Sequence, residues 1–163
     1  MSEELVDIVD ETGAVVDTVP RARMRAENLL HRSVFIVVLN DADELLVHRR
    51  ADWKDIWPGA WDIAVGGVVA TDESWESAAS RELVEELGIA GELVYLGEGI
   101  YEDADVRELA RVYRVHSEGP FTFVDDEIVE AAWLAVSDLR DWVAQRTVCP
   151  DSLALVLPRL DAP

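Results

Sequence analysis

Three glutamates close together in the sequence have the spacing of a cation-binding site. Glu82, Glu85 and Glu86 stand at positions i, i+3 and i+4, so on a helix their carboxylates project from one face. Like charges at this spacing repel each other and destabilise the helix. A divalent cation would remove that penalty, and Mg²⁺ prefers oxygen ligands that it shares with waters and substrate phosphates. The pattern predicts a helix that holds a metal ion against a phosphate.

The competing interpretation is a merely solvated acidic helix face, which is the commoner case. The neighbouring apolar residues favour a helix that packs against the protein, because Ala79, Leu83 and Leu87 form a stripe beside the acids. Ser74 is the predicted N-cap, with the aspartate two residues earlier as the alternative, and Gly88 is the predicted C-cap. The helix is therefore expected to pack by one side and to present carboxylates on another.

The residues around these acids resemble the motif of a known family, the Nudix box, at every specified position. The match runs over residues 67–89, and its spacing is too specific for a chance resemblance. The resemblance implies hydrolysis of a diphosphate linkage with a divalent cation, Mg²⁺ or Mn²⁺, as cofactor. The matching residues, in order, are Gly67, Glu73, Arg81, Glu82, Leu83, Glu85, Glu86, Gly88 and Ile89.

The resemblance also implies roles for individual residues of the box. The three clustered glutamates are the expected metal ligands, and the carbonyl oxygen of Gly66 completes the set. A small residue is expected at Gly66 because the backbone must approach the ion closely. Glu73 and Arg81 are expected to form an ion pair that ties the loop to the helix, without a catalytic role.

Hydrolysis by water needs a general base, and the family uses different glutamates for it, within the box or on a later loop. Glu85 or Glu86 is the first choice. Glu127, which precedes the last predicted strand, is the later candidate, with Glu130 behind it. The alternative for both later residues is a solvated loop.

Cations that could meet a substrate phosphate are few in this chain. Arg49, Arg50 and Lys54 are the local candidates. Because Arg49 and Arg50 are adjacent on a predicted strand, their side chains point to opposite faces, and at most one of them should face the site.

Composition sets limits on the class of protein. The 163 residues, half of them apolar, are enough for one domain with a buried core. No apolar run approaches the roughly 20 residues that cross a bilayer, and the acidic N-terminus is unlike a signal peptide, so we expect a cytoplasmic protein without membrane partners. The single cysteine, Cys149, excludes an internal disulfide and suits a reducing compartment.

The net charge of −20, with thirteen arginines and one lysine, limits the partners. Such a surface repels a nucleic-acid backbone, so we expect a small-molecule diphosphate as substrate and no nucleic-acid polymer. The substrate must arrive with a metal ion or meet a local basic patch. The sequence leaves a homodimer open.

The chain is predicted to form one α/β domain over residues 1–163. Residues 1–30 are an N-terminal hairpin and short helix, and residues 31–163 are the core that carries the box. The resemblance implies an α/β/α sandwich of α+β type with a mixed central sheet. Alternating or apolar β-rich runs predict strands within 4–18, 33–40, 45–50, 61–70, 91–102, 106–119 and 128–136, and helices are predicted after 20, over 75–87, after 138 and over 151–160.

Outside the box, the chain is similar to the bacterial Nudix branch that resembles isopentenyl-diphosphate isomerase. The isomerase carries a catalytic cysteine on the strand before the box, where this chain has WDIAVGG, and Gly67 replaces a metal-binding histidine. His31 matches another histidine ligand of the isomerase but lacks its companions, so a structural or substrate-facing role is expected. Cys149 lies far along the chain, at the start of the predicted terminal helix, and is expected to be a packing thiol. Hydrolysis is therefore the predicted activity, with the isomerase and a non-catalytic binding module as alternatives.

Overall fold

The computed structural model describes residues 3–123 and 125–160. Within these residues, nine strands form one mixed sheet, and helices cover both of its faces. The predicted fold class, a mixed α+β sheet within an α/β/α sandwich, is confirmed. The strands are β1 (Leu5–Val9), β2 (Val15–Pro20), β3 (His31–Leu39), β4 (Glu44–Arg50), β5 (Trp61–Asp62), β6 (Val65–Val68), β7 (Val94–Glu102), β8 (Arg107–His116) and β9 (Ile128–Ala135).

The longest helix begins and ends where its sequence provides caps. Ser74 accepts a hydrogen bond from the amide of Ser77 at 3.1 Å, and Gly88 ends the helix in the left-handed region at φ 66°. The predicted terminal helix over 151–160 is divided into two short helices. The helices are α1 (Arg21–Ala26), α2 (Trp75–Leu87), α3 (Leu139–Ala144), α4 (Pro150–Leu155) and α5 (Leu157–Leu160), with a 3₁₀ turn at Val136–Asp138 before α3.

Strand β3 lies at the centre of the sheet because both of its faces are apolar. Val34 and Ile36 belong to the core layer that includes Leu83 of α2. Phe35 and Val37 belong to the opposite layer, which α3 and α4 cover. Strand β3 pairs along its whole length with β8 in parallel and over four residues with β6 in antiparallel orientation. The sandwich therefore has two cores separated by β3.

The predicted β3–β4 hairpin exists, but its strands separate almost at once. Their only register pair is Leu39↔Leu45, beside the turn. Beyond it, β3 pairs with β6, whereas β4 pairs with β5 and β9. The single strand predicted over residues 61–70 is wrong for this reason: its first part follows β4, its second part follows β3, and residues 63–64 cross between them. The separation opens a cleft between the two groups of strands.

The N-terminal hairpin and α1 lie against one end of this arrangement. Strand β1 meets β3 at Ile8↔His31, and Val6, Val19 and Met24 form a small core with Val68 of β6. Among the described residues, no helix is both long and apolar enough to cross a membrane.

Candidate active site

The three glutamates of α2 lie at the cleft, but their environments differ. Glu82 and Glu86 are buried, with 8% and 7% of their surface exposed, whereas the Glu85 side chain is half exposed. Oε2 of Glu86 accepts a hydrogen bond from the amide of Gly66 at 2.9 Å. The helix thus presents two acids inside the protein and one at its rim.

The burial of Glu82 and Glu86 disfavours their charged forms. Burial raises the pKa of Glu82 to about 7, although the neighbouring Arg81 guanidinium opposes the shift. Burial, followed by the charges of Glu82 and Glu127, raises the pKa of Glu86 well above its ordinary value. A cation beside these two carboxylates would favour their ionised forms.

Arg81 connects the acids of the box to each other. Its Nε and Nη2 donate to both oxygens of Glu73 at 2.8 and 2.9 Å, and Nη1 donates to Glu82 at 2.8 Å and to Glu85 at 3.1 Å. Nη2 also donates to the carbonyl of Val68 at 3.1 Å. The Arg81 hydrogen bonds lower the pKa of Glu73. The structure therefore contains the predicted ion pair, and the same arginine also orients two of the clustered glutamates.

The two glycines before α2 leave no room for a side chain. A Cβ on Gly66 would lie 1.9 Å from the carbonyl oxygen of Val34, so the packing against β3 already requires glycine here. A Cβ on Gly67 would lie 2.3 Å from Oε1 of Glu82. Gly67 is thus the position whose small size leaves room for a carboxylate.

The opposite wall of the cleft carries the basic residues. Nζ of Lys54 lies 3.1 Å from Oε1 of Glu127, and both side chains are largely buried. The Arg50 guanidinium lines the cleft as well and donates from Nε and Nη2 to the carbonyl of Ile56. Lys54, Arg50 and Glu127 therefore face the acids of α2.

Arg49 lies outside this site. Its guanidinium pairs with Glu130 at 3.4 Å and with Asp52 at 3.8 Å, and it does not line the cleft. The alternation along β4 turns Arg50 inward and Arg49 outward. Arg49 and Glu130 therefore lie outside the cavity.

The two walls enclose a cavity of about 430 Å³. Such a volume is within the range of small-molecule sites. Its lining includes Trp57 of the loop 51–60, residues of α1 and, at an inner end formed by buried side chains, residues of β5, β8 and the start of α4. A small ligand with a charged group at one end would fit a cavity of this size.

The inner end of the cavity holds acids that the sequence did not single out as site residues. Asp62, Glu108 and Asp151 are buried there and line the cavity. Oδ1 of Asp62 accepts a hydrogen bond from Ser152 Oγ at 2.5 Å, and Glu108 accepts one from Ser33 Oγ at 2.8 Å. Burial and then the charge of Glu108 raise the pKa of Asp151 to about 10. Asp151 is therefore uncharged at neutral pH.

His31 lies outside the cavity, whereas Cys149 lines it. His31 does not line the cavity; its Nδ1 lies 3.0 Å from the carbonyl oxygen of Leu29, and burial lowers its pKa to about 4. His31 is a neutral structural histidine. Cys149 is buried, as a packing thiol would be, but it also lines the cavity, because the strand pairing brings the start of α4 to the inner end. Burial raises the pKa of the Cys149 thiol, which stays protonated.

Comparison with known proteins shows which family has this architecture. The family model of the NUDIX domain matches residues 29–151, about three-quarters of the chain. The chain belongs to the Nudix family. The matched segment contains the whole box and both walls of the cleft.

Nudix relatives are similar over nearly the whole chain. The Nudix hydrolase YfcD of Escherichia coli is 40% identical over 153 residues, which cover 93% of this chain and 84% of the relative. The Nudix hydrolase PA4841 of Pseudomonas aeruginosa is 35% identical over 160 residues, covering 98% and 95%. The crystal structure of DR0079 from Deinococcus radiodurans superposes with a TM-score of 0.81 at 26% identity and covers 98% of this chain and all of that one. The chain is therefore a Nudix hydrolase.

The residues of the Nudix box fit a divalent cation by chemistry, although their atoms are not gathered around one point. Glu82 and Glu86 are buried carboxylates that a cation would hold ionised, which suits Mg²⁺. Glu85 is directed to Arg81, and the three carboxylates do not converge within 4.8 Å. In the part of the chain that the structure describes, a group that does converge is the exposed Asp41, His116 and Glu118, remote from the box.

Proposed function

We propose that this Nudix protein is a metal-dependent hydrolase that cleaves the diphosphate linkage of a small organic or nucleoside diphosphate by attack of water at phosphorus. The observation that carries the proposal is the pair of buried carboxylates, Glu82 and Glu86, facing Lys54 and Arg50 across one cavity. The acids of one wall favour a metal cation, and the basic side chains of the other wall favour a phosphate. A diphosphate site needs both.

The residues of the two walls have different roles in this proposal. Glu82, Glu85, Glu86 and the carbonyl oxygen of Gly66 would hold Mg²⁺ or Mn²⁺. When bound, the ion polarises phosphoryl oxygens and acidifies water. Lys54 and Arg50 bind the phosphoryl oxygens that face away from α2. The Gly66 amide keeps the Glu86 carboxylate in place through its 2.9 Å hydrogen bond.

The proton of the attacking water goes to a glutamate of the cleft. Glu85, Glu86 and Glu127 all line the cavity. Glu127 has support from its place in the cavity, where its Oε1 is held 3.1 Å from Nζ of Lys54. Glu85 has support from its exposure, which keeps it in contact with solvent water.

One observation supports the isomerase alternative, and another counts against it. Cys149 lines the cavity, as an alkene-protonating thiol would require. However, the inner end of the cavity is lined by Asp62, Glu108 and Asp151, and an isoprenoid chain would have to displace water from these polar groups without replacing their hydrogen bonds. This cost favours hydrolysis of a polar substrate.

The proposal is tested by a screen of diphosphate compounds with Mg²⁺ or Mn²⁺. The expected result is release of phosphate or a nucleoside monophosphate, with oxygen-18 from labelled water in one of the two phosphate-containing products, the one whose phosphorus was attacked. Glu85→Gln and Glu86→Gln should each lower kcat by about 10²-fold or more, because each removes a ligand or the base. The matched control is Glu92→Gln, which changes an exposed glutamate outside the cavity.

Two results would overturn the proposal. One is turnover that persists in excess chelator. The other is full activity of the Glu85→Gln/Glu86→Gln double variant.

A further inference from the structure

The single lysine of the chain is paired with one of the candidate bases. Nζ of Lys54 lies 3.1 Å from Oε1 of Glu127, and the two side chains are 15% and 29% exposed. Both residues line the cavity, where the proposed function has Lys54 bind a phosphoryl oxygen and makes Glu127 a candidate base. As long as the pair is intact, each side chain occupies the other, and neither is available for its role.

The backbone around the pair is fixed, whereas the two side chains can rotate. The amide of Ala51 donates to the carbonyl oxygen of Glu127 at 2.8 Å, and the carbonyl oxygen of Ala51 accepts from the amide of Lys54 at 3.3 Å. One residue thus anchors both backbones. Separation of the ammonium from the carboxylate therefore requires only side-chain rotation, which is faster than the opening of a loop.

Arg50, the other cation of this wall, has less freedom than Lys54. Its Nε and Nη2 donate to the carbonyl oxygen of Ile56 at 3.2 and 2.9 Å, so the loop backbone holds the guanidinium in place. A lysine carries a compact charge and three donors on a flexible stem, so it can exchange one anionic partner for another. Of these two cations, Arg50 is fixed and Lys54 can change its partner.

Both charges of the pair act on the acids of α2. After burial and the charge of Glu82, the charge of Glu127 raises the pKa of Glu86, and the charge of Lys54 lowers it. A diphosphate that binds between the two walls would therefore lie close to the ammonium and to the carboxylate. Its oxygens would attract the first and repel the second, and such interactions are strong in a partly buried site. Binding of the phosphate thus favours separation of the pair.

We propose that Lys54 exchanges partners during binding: it holds Glu127 until a substrate binds, and a phosphoryl oxygen of the substrate then displaces that carboxylate. The inference rests on the proposed function for the presence of a phosphate in the cavity. The released Glu127 accepts a proton from the attacking water, while the water oxygen bonds to phosphorus and the leaving phosphate takes the electron pair of the broken P–O bond. Glu127 thus becomes available as a base only after the phosphate has bound.

A double-mutant cycle tests the exchange by isothermal titration. The probe is methylenediphosphonate, whose P–C–P linkage cannot be hydrolysed, with saturating Mg²⁺. Glu127→Gln should tighten binding about three- to tenfold, because the probe no longer competes with a carboxylate for Lys54. In a Lys54→Met background, the same substitution should have an effect at least about threefold smaller.

The matched control for the cycle is Glu130→Gln. Glu130 is an exposed glutamate that pairs with Arg49 outside the cavity, so this substitution should leave the affinity for the probe unchanged in both backgrounds. Melting curves of each variant establish that it is folded.

The single lysine also allows the exchange to be observed directly by NMR. Protein labelled with ¹⁵N-lysine contains one labelled Nζ, that of Lys54. Without the probe, the Nζ signals of wild type and Glu127→Gln should differ, because only the wild-type ammonium is paired with a carboxylate at residue 127. With saturating probe the difference should shrink, since Lys54 then has the same partner in both proteins.

Three results would contradict the exchange. Weaker binding by Glu127→Gln in the presence of Lys54 only would mean that Glu127 orients the ammonium for the phosphate. Equal effects in both backgrounds would mean that Glu127 acts through its charge alone. A signal difference that persists at saturation would mean that the pair stays closed. Exchange without hydrolysis of any diphosphate compound would retain the inference and instead contradict the proposed function.

Discussion

Arg81 donates two hydrogen bonds to Glu73, from Nε to Oε2 at 2.8 Å and from Nη2 to Oε1 at 2.9 Å. This two-point contact fixes the plane of the guanidinium group. Nη1 is thereby directed to Glu82 and Glu85. We infer that Arg81 is a positioning residue, because its hydrogen bonds set where the carboxylates of Glu82 and Glu85 stand.

We predict that Arg81→Lys lowers kcat by about 10- to 100-fold, since lysine keeps the charge but cannot form the planar two-point contact. The free energy of unfolding should fall by about 1–2 kcal/mol with the loss of hydrogen bonds. Kinetics and urea denaturation measure the two effects. The control is Arg107→Lys, in the half-exposed pair with Glu102, which should change neither. Unaltered activity of Arg81→Lys would show that α2 positions its acids unaided.

A divalent cation should stabilise the protein specifically. Mg²⁺ at tenfold its dissociation constant should contribute about 1.4 kcal/mol, which corresponds to a Tm increase of about 2–6 °C. Differential scanning fluorimetry measures the shift, and NaCl at matched ionic strength is the control for screening of the −20 charge. The Glu82→Gln/Glu86→Gln variant should lose the shift. Equal shifts from both salts would reduce the effect to general screening.

Asp151 should make stability fall as pH rises. Its pKa is raised to about 10 in the folded protein from an ordinary value of 3.8, so between these values the unfolded state releases a proton that the folded state keeps. Asp151→Asn cannot titrate, so its free energy of unfolding should rise relative to that of the wild type between pH 5 and pH 9, by up to about 1.4 kcal/mol per pH unit. Urea titrations at both pH values test this. Asp141→Asn, at an exposed aspartate, is the control, and a constant difference between the two pH values would contradict the mechanism.

Cys149→Ser separates hydrolase from isomerase. Because burial raises the pKa of the thiol and keeps it protonated, we expect it to take no part in hydrolysis, so the substitution should leave kcat within about threefold. Incubation of the wild type with isopentenyl diphosphate and Mg²⁺ should give no dimethylallyl diphosphate by NMR. Appearance of the rearranged alkene, and its loss in Cys149→Ser, would establish the isomerase.

Helix α2 was predictable from the sequence because its determinants are local. Ser74, Gly88 and the apolar stripe all act within one stretch, and the spacing of the acids follows from the helix itself. The alternation on β4 likewise predicted that only one of Arg49 and Arg50 would face inward. Which one does so depends on where the sheet places its cleft, and no local pattern contains that information.

The inner end of the cavity was not predicted because its residues meet only through long-range pairing. Glu108 had one local signal: it is the acid in an inward-facing series whose other members, Val106, Ala110 and Val112, are buried and apolar. Asp151 and Cys149 had none, since their place depends on the bridge between Val148 and Trp61. The division of the strand over 61–70 likewise follows from the separation of β3 and β4.

That separation has a consequence for how the protein folds. The β3–β4 turn brings together residues that are close in the chain, but the cavity needs contacts such as Ser33 with Glu108, 75 positions apart, and Asp62 with Ser152, 90 positions apart. Contacts at such distances are made only after long loops have closed, which slows folding. During synthesis, the inner wall can close only when α4 has left the ribosome, so we expect the chain to acquire its binding cavity as one of the last events of folding.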